Sequence, residues 1–200
     1  MSVSRSAARA SRRYFDPRFA ATIITVAPGE HEITAAQDEI VATVLGSCVS
    51  VCLRDPQAGI GGLNHFLLPK NNGNADPSAG ERYGDTAMEV LINDLLKRGA
   101  RRQNLEAKVF GGARVLAGAT MLAIGDNNIA FVTEFLKREG IPIVSKDVGG
   151  TRSRRIHYQP SSGRAWVQHV QPTARDSGQE MAYLNRLKTQ PVAGEVEIFS

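Results

Sequence analysis

The amino-acid sequence predicts an α+β fold in a single domain, with mixed β-sheets stacked as a layered sandwich and flanked by helices. Several strand-like segments come before the first helical pattern, and helices and strands alternate only after them. This order differs from the regular strand–helix alternation of a parallel α/β sheet. The chain has 200 residues, 42% of them hydrophobic, which is enough to bury one ordinary core.

The first third of the chain is rich in strand-forming residues. A short β-branched strand is predicted at 20–26, followed by a polar turn segment, PGEHEITAAQDE. Three more strands are predicted at 40–46, 49–55 and 59–69, separated by Gly-Ser and Asp-Pro-Gln-Ala-Gly turns. We expect these neighbouring strands to lie side by side.

Helical and strand patterns alternate in the rest of the chain. A polar loop is predicted at 70–82, and helices are predicted where apolar residues recur at helical spacing, in 85–100 and 127–140. Strands are predicted between and after them, at 105–113, at 141–150 and as a pair within 154–170.

The basic charge of the chain is concentrated at its start. The net charge is +4, and beyond residue 18 the basic and acidic residues are equal in number. We therefore predict a basic, disordered tail over 1–18, a folded domain over 19–171, and a C-terminal extension over 172–200 with one short helix and a terminal strand. Nucleic-acid binding is not expected, because the body is neutral and the tail lacks interleaved aromatic residues. An organelle transit peptide would have a similar composition. The arginines of the tail are Arg5, Arg9, Arg12, Arg13 and Arg18.

Composition favours a reducing cytoplasm. Two cysteines are too few for a secreted disulfide framework, and no apolar signal segment follows Met1. The longest apolar stretches fall well short of the roughly 18 residues that a membrane span needs. No membrane insertion is predicted.

The two cysteines differ in their local context. Cys48 follows a Gly-Ser pair at the start of a predicted strand, whereas Cys52 lies inside that strand and is expected to be a buried hydrophobe. No metal site is expected, because the histidines show no ligand spacing to this pair. His65 lies on the next strand, where antiparallel pairing could bring it to Cys48 as the base of a nucleophilic thiol. A core histidine bonded to a backbone carbonyl fits the same pattern, so spacing alone leaves both alternatives open.

Five sequence blocks stand out in order along the chain: TVLGSCVSVCLRDP, GGLNHFLLP, RYGDTAMEVLINDLLKRGA, LEAKVFGGA and DVGG. Taken together, they resemble the CheD family of chemoreceptor glutamine deamidases, and the resemblance runs from Thr25 to Val170. It implies that Cys48 is the nucleophile, that His65 is its partner, and that an upstream threonine completes a triad. Thr43 matches that threonine, although some members place it one position earlier, where Ala42 stands here.

The resemblance also implies a reaction and a set of partners. The expected reaction is hydrolysis of glutamine side-chain amides on methyl-accepting chemotaxis receptors, without a cofactor. It would take place in the bacterial cytoplasm, with recruitment to receptor arrays, and the resemblance implies a CheC-type phosphatase or another chemotaxis protein as a regulatory partner. The substrate-binding or oxyanion-stabilising candidates are Gly46, Ser47, Phe110, Gly111 and Gly112.

Two other functions remain open at this stage. One is a chemotaxis binding module that has kept the fold but lost catalysis. The other is a different thiol enzyme, such as a protease, an amidase on small substrates or a transglutaminase. Thiol reactivity would distinguish the first alternative, and the reaction product the second.

Overall fold

The computed structural model describes residues 12–67, 77–115, 119–170 and Ala182, which form ten strands and two helices. A short 3₁₀ turn spans Arg102–Asn104. The helices are α1 (Pro77–Lys97) and α2 (Ala119–Arg138). The strands are β1 (Arg13–Asp16), β2 (Ala21–Thr25), β3 (His31–Thr34), β4 (Glu39–Leu45), β5 (Val49–Asp55), β6 (Ile60–Asn64), β7 (Glu106–Gly111), β8 (Ile143–Val148), β9 (Ser153–Gln159) and β10 (Arg164–Val170).

The strands form two five-stranded mixed sheets. The first sheet has the order β1-β2-β4-β9-β10, and the second has the order β3-β6-β5-β7-β8. Each sheet contains one parallel pair, β2–β4 in the first and β7–β8 in the second, while the other neighbours are antiparallel.

Three layers result, in the order first sheet, second sheet, helices. One buried cluster fills the space between the sheets, with Val41 and Leu45 from the first sheet and Cys52 and Leu63 from the second. The opposite face of the second sheet packs on the helices, where β5 contributes its other set of side chains, Val49, Val51 and Leu53. The predicted α+β sandwich with flanking helices is confirmed. The second sheet is covered on both faces, which explains the nearly continuous apolar run of β5.

Residues 13–16 are part of the fold, so the prediction of a disordered tail up to residue 18 is wrong for this segment. They form the edge strand β1, antiparallel to β2. Three arginines assigned to the tail by composition make ion pairs: Arg12 with Glu30, Arg13 with Glu39 and Arg18 with Asp16. Counting charges cannot reveal this pairing, because the partners are distant in sequence or belong to the strand itself.

Two further elements differ from the sequence prediction. His31–Thr34, predicted as part of a polar turn, forms strand β3 and pairs with β6. Helix α1 begins at Pro77, inside the predicted loop, and a proline fits the first helical position because its missing N–H would have no intrahelical partner there. The predicted C-terminal extension lies outside the described residues except for Ala182.

Within the described segments, neither helix has the length and apolar character required to cross a bilayer.

Candidate active site

Cys48 ends a three-residue turn that carries the chain from one sheet to the other. Strand β4 of the first sheet ends at Leu45, and β5 of the second sheet begins at Val49. We call the intervening residues, Gly46–Cys48, the nucleophile turn. Cys48 is 1% exposed and packs in the cluster between the sheets. Neither cysteine is in a disulfide bond.

The register of β5 and β6 brings His65 to the face of the second sheet that also carries Cys48. Cys52 lies opposite Leu63, and Val49 forms a bridge with Phe66, so continuation of this register sets Cys48 as the diagonal neighbour of His65. Diagonal neighbours on one face of an antiparallel pair are within reach of a long or aromatic side chain. The antiparallel arrangement expected for these two strands is therefore present.

The backbone of His65 is fixed on both sides by one loop. Its N–H donates to the carbonyl of Glu30 at 2.9 Å, and its carbonyl accepts from the N–H of Gly29 at 2.7 Å. Since a side chain on a fixed backbone has few rotamers, these bonds limit where the imidazole can point.

Thr43 holds the imidazole from the opposite sheet. Its Oγ1 lies 2.8 Å from His65 Nδ1 and 2.9 Å from the carbonyl oxygen of Val26. Residues on one face of a strand alternate, so Thr43 shares the inter-sheet face of β4 with Val41 and Leu45. Ala42 belongs to a cluster on the outer face, so it cannot take the role of Thr43.

The two contacts of Thr43 determine the histidine tautomer. A threonine hydroxyl has one proton, and a carbonyl oxygen only accepts, so the hydroxyl donates to Val26. Both hydrogen bonds are then made only if His65 donates Nδ1–H to Thr43 Oγ1. The proton lies on Nδ1, and Nε2 carries the basic lone pair.

His65 Nε2 is a buried nitrogen with no hydrogen-bond partner among the described residues. The residue is only 4% exposed. Burial lowers the pKa of His65 from its usual 6.5 to about 4, against the smaller opposing effects of Val26 and Glu30. At neutral pH the imidazole is therefore uncharged and able to accept a proton.

This buried imidazole should make the protein less stable in mild acid. The unfolded chain binds a proton near pH 6.5 while the folded chain resists it until about pH 4, so the free energy of unfolding falls as the pH decreases through this window. The full contribution is on the order of 3 kcal/mol. We expect urea unfolding of the wild type at pH 7 and at pH 4.5 to show this loss, and H65Q to show a clearly smaller one. An equal loss of unfolding free energy in the wild type and in H65Q would contradict burial of a neutral His65. Burial also lowers the pKa of His157, but His157 is present in both proteins, so its effect cancels in the comparison.

The second cysteine is placed as predicted. Cys52 is 1% exposed within β5, and burial strongly raises the pKa of its thiol. This thiol is a core side chain, and it offers an internal control for the reactivity of Cys48.

Gly111 and Gly112 lie against the backbone of the nucleophile turn. Their φ angles are +106° and +67°, and a Cβ on Gly111 would stand 2.2 Å from the Cys48 carbonyl oxygen. The N–H of Gly112 donates to that same oxygen at 2.7 Å. Both glycines are buried, and the Phe110 side chain is 2% exposed between the sheets. These positions favour a supporting role for the three residues, in place of direct substrate contact.

Asn128 is a site residue that the sequence reasoning missed. It is fully buried on α2, and its Nδ2 donates to the carbonyl oxygen of Ser47 at 2.9 Å. A signal was present in the sequence, because an asparagine occupies the apolar face of this helix, four residues before Val132 and seven before Phe135.

A cavity of about 160 Å³ borders His65. It lies between the Gly29–His31 loop, the end of β6 and helix α1. No group of three or more His, Cys, Asp or Glu side chains in the described segments could hold a metal ion.

A layered α+β sandwich that gathers a cysteine, a neutral histidine and a threonine between its sheets defines a candidate thiol hydrolase. The family model for CheD, chemotactic sensory transduction, matches residues 67–169. The chain belongs to the CheD family.

Curated relatives match over most of the chain. A protein of Bordetella petrii is 50% identical over 169 residues, which is 84% of this chain and 76% of the relative. A protein of Herminiimonas arsenicoxydans is 46% identical over 195 residues, 96% of both chains. Both are named probable chemoreceptor glutamine deamidase CheD. Among solved structures, the hypothetical protein YfiH of Bacillus licheniformis aligns with a TM-score of 0.39 and 15% identity, over 61% of this chain and 50% of that chain.

Proposed function

We propose that this protein hydrolyses glutamine side-chain amides on chemoreceptors to glutamate and ammonia, with Cys48 as nucleophile, His65 as general base and acid, and Thr43 as the residue that orients His65. The observation that carries the site assignment is the Thr43–His65 hydrogen bond. It fixes the proton on Nδ1 and leaves a buried, basic Nε2 on the face of the sheet that also carries Cys48. The relatives' names supply the substrate class.

The first half of the reaction forms a thioester. Cys48 Sγ attacks the carboxamide carbon while its proton passes to His65 Nε2. Because burial keeps the imidazole neutral beforehand, we expect the proton to move with the attack and not to form a persistent ion pair at rest. The tetrahedral oxyanion is stabilised by backbone N–H groups of the nucleophile turn. The imidazolium then donates its proton to the leaving nitrogen, and ammonia departs as the C–N bond breaks.

The second half of the reaction regenerates the enzyme. Nε2 accepts a proton from a water molecule, whose oxygen attacks the thioester carbon. The C–S bond breaks, the proton returns to Cys48 Sγ, and glutamate is released. The net reaction consumes one amide and one water and yields one carboxylic acid and one ammonia, so no cofactor is required.

The site is largely closed to solvent. Cys48 and His65 are 1% and 4% exposed, and Cys48 is not among the residues that line the cavity bordering His65. A receptor substrate implies a cytoplasmic location with recruitment to receptor arrays. A CheC-type phosphatase remains a proposed regulatory partner.

The direct test is product mapping on a receptor fragment. The protein is incubated with a glutamine-bearing cytoplasmic fragment of a chemoreceptor, and amide-to-acid conversion is mapped by mass spectrometry. We expect a mass increase of about 1 Da at particular glutamines, with equal release of ammonia. Unchanged glutamines would contradict the proposal, whereas peptide cleavage or amine incorporation would indicate a different thiol enzyme.

Replacing Thr43 tests the orientation of His65 while the histidine itself stays in place. T43V keeps the shape of the side chain but removes the acceptor for Nδ1–H, so the imidazole can change tautomer and lose its basic Nε2. We expect kcat for deamidation to fall by about tenfold to a hundredfold, a part of what general acid–base catalysis contributes. T43S, which keeps the hydroxyl, should retain most activity. The tautomer can be read from ¹⁵N chemical shifts of His65; a T43V protein with wild-type kcat would exclude the orienting role.

A further inference from the structure

Three successive carbonyl groups of the nucleophile turn accept hydrogen bonds from residues outside the turn. The Gly46 oxygen accepts from Ala113 N–H at 2.8 Å, and the Cys48 oxygen accepts from Gly112 N–H at 2.7 Å. Between them, the Ser47 oxygen accepts from Asn128 Nδ2 at 2.9 Å. Only this middle bond comes from a side chain, so only here does the choice of residue decide whether the carbonyl is held.

Holding the Ser47 carbonyl also orients the next N–H group. The peptide bonds of the described residues are trans, and in a trans peptide the carbonyl and the following N–H point in opposite directions. With its carbonyl directed at Asn128, the Ser47–Cys48 peptide directs the Cys48 N–H away from α2. The oxyanion forms on the carbon that Cys48 Sγ attacks, so it stays close to the N–H of the same residue, as in other acyl-transfer sites.

The position of Asn128 is set by unusually close packing of its helix. Gly125, one turn earlier on the same face of α2, lies so near Gly112 that a Cβ at this position would stand 2.4 Å from the Gly112 carbonyl oxygen. The helix therefore contacts the backbone that supports Cys48. An amide fully buried in this contact costs free energy unless it is hydrogen-bonded. The bond to Ser47 helps to satisfy this buried amide.

We propose that Asn128 is a positioning residue for the oxyanion site: it fixes the Ser47–Cys48 peptide so that the Cys48 N–H donates to the tetrahedral intermediate. The inference rests on the proposed deamidase function. It acts on the transition state of amide hydrolysis and leaves the thiol and its base unaffected.

The test compares two reactions of the same thiol. Alkylation by iodoacetamide displaces iodide at a saturated carbon and develops no oxyanion, so it reports the reactivity of Cys48 alone. Deamidation of the receptor fragment needs both the thiol and the oxyanion donors. For N128A we expect kcat to fall by about tenfold to a hundredfold with little change in KM, while the alkylation rate of Cys48 stays within about twofold of wild type.

Controls keep the result interpretable if N128A is unstable. N128D has nearly the same shape but places an acceptor against the Ser47 oxygen, so it should lose kcat at least as strongly. T133A removes a polar side chain that bonds only its own helix, at the carbonyl of Ile129, and should change neither rate.

The deamidation and alkylation rates of the Asn128 variants either support the positioning role of Asn128 or contradict it. Loss of deamidation with alkylation retained, in either Asn128 variant, supports it. Equal loss of both reactions would assign Asn128 to folding alone. Unchanged deamidation would show that the Ser47–Cys48 peptide does not need the Asn128 hydrogen bond. Either result would overturn the inference. If wild-type protein alkylates at Cys48 but does not deamidate, the proposed function fails and the inference fails with it.

Discussion

Replacing Cys48 or His65 by alanine is expected to abolish deamidation, and replacing both is expected to add almost no further loss. Cys48 supplies the sulfur of the thioester, and His65 is the base that the strand register brings to the face of the sheet carrying Cys48. An amide is a poor substrate for an unassisted thiol, and general acid–base catalysis typically contributes about a hundred- to ten-thousand-fold. Residues that act as one unit are strongly non-additive, because removal of either already stops the step that both serve.

The measurement is the initial rate of ammonia release from a receptor fragment by C48A, H65A and the double variant. C52A is the matched control, since Cys52 lies on the strand that follows Cys48, with its thiol buried and its pKa raised. It should keep wild-type activity, and its remaining thiol, Cys48, should account for the alkylation of the wild type. An H65A protein that deamidates normally, or a double variant far less active than either single variant, would refute the pairing.

Replacing Gly111 by alanine is expected to disrupt the nucleophile turn as well as destabilise the fold. Gly111 has a φ of +106°, which alone costs a residue with a Cβ about 1–2 kcal/mol. In addition, the new Cβ would stand 2.2 Å from the Cys48 carbonyl oxygen and 3.1 Å from the Val49 Cα. Backbone cannot move aside as a flexible side chain can, so β5 and β7 must separate, at a further cost of about 1–3 kcal/mol.

Gly99 provides the comparison that isolates this crowding. Its φ is +99°, almost that of Gly111, but apart from its two chain neighbours no described residue lies within 4 Å of where its Cβ would be. Urea unfolding should therefore show a moderate loss of stability for G99A and a larger loss for G111A. Activity, measured where both variants are folded, should be normal for G99A and strongly reduced for G111A. Equal destabilisation of the two variants, or full activity of G111A, would exclude the contact with Cys48 as a constraint on the site.

Much of the fold was predictable because strand patterns are local. Alternation along β5 predicts one face for Val49, Val51 and Leu53 and the opposite face for Cys52. The structure places them in this way. Strands with short polar sequences were harder to predict from the sequence. β3 and β1 are recognised only through their partners, because His31–Thr34 and Arg13–Asp16 have no apolar alternation that exceeds ordinary turn composition.

The sequence by itself determined most of the secondary-structure elements, the turn that carries Cys48 and the family to which the chain belongs. It also pointed to Thr43 as the orienting residue, although some family members carry the threonine one position earlier, where Ala42 stands here. The tertiary structure decided between them: stacking of the two sheets turns Thr43 towards His65 and Ala42 outward. The same stacking set the histidine tautomer through Val26 and brought Asn128 to Ser47. Side-chain alternation along a strand follows from backbone geometry within a few residues, whereas contacts between layers depend on how distant segments pack, which no local pattern contains.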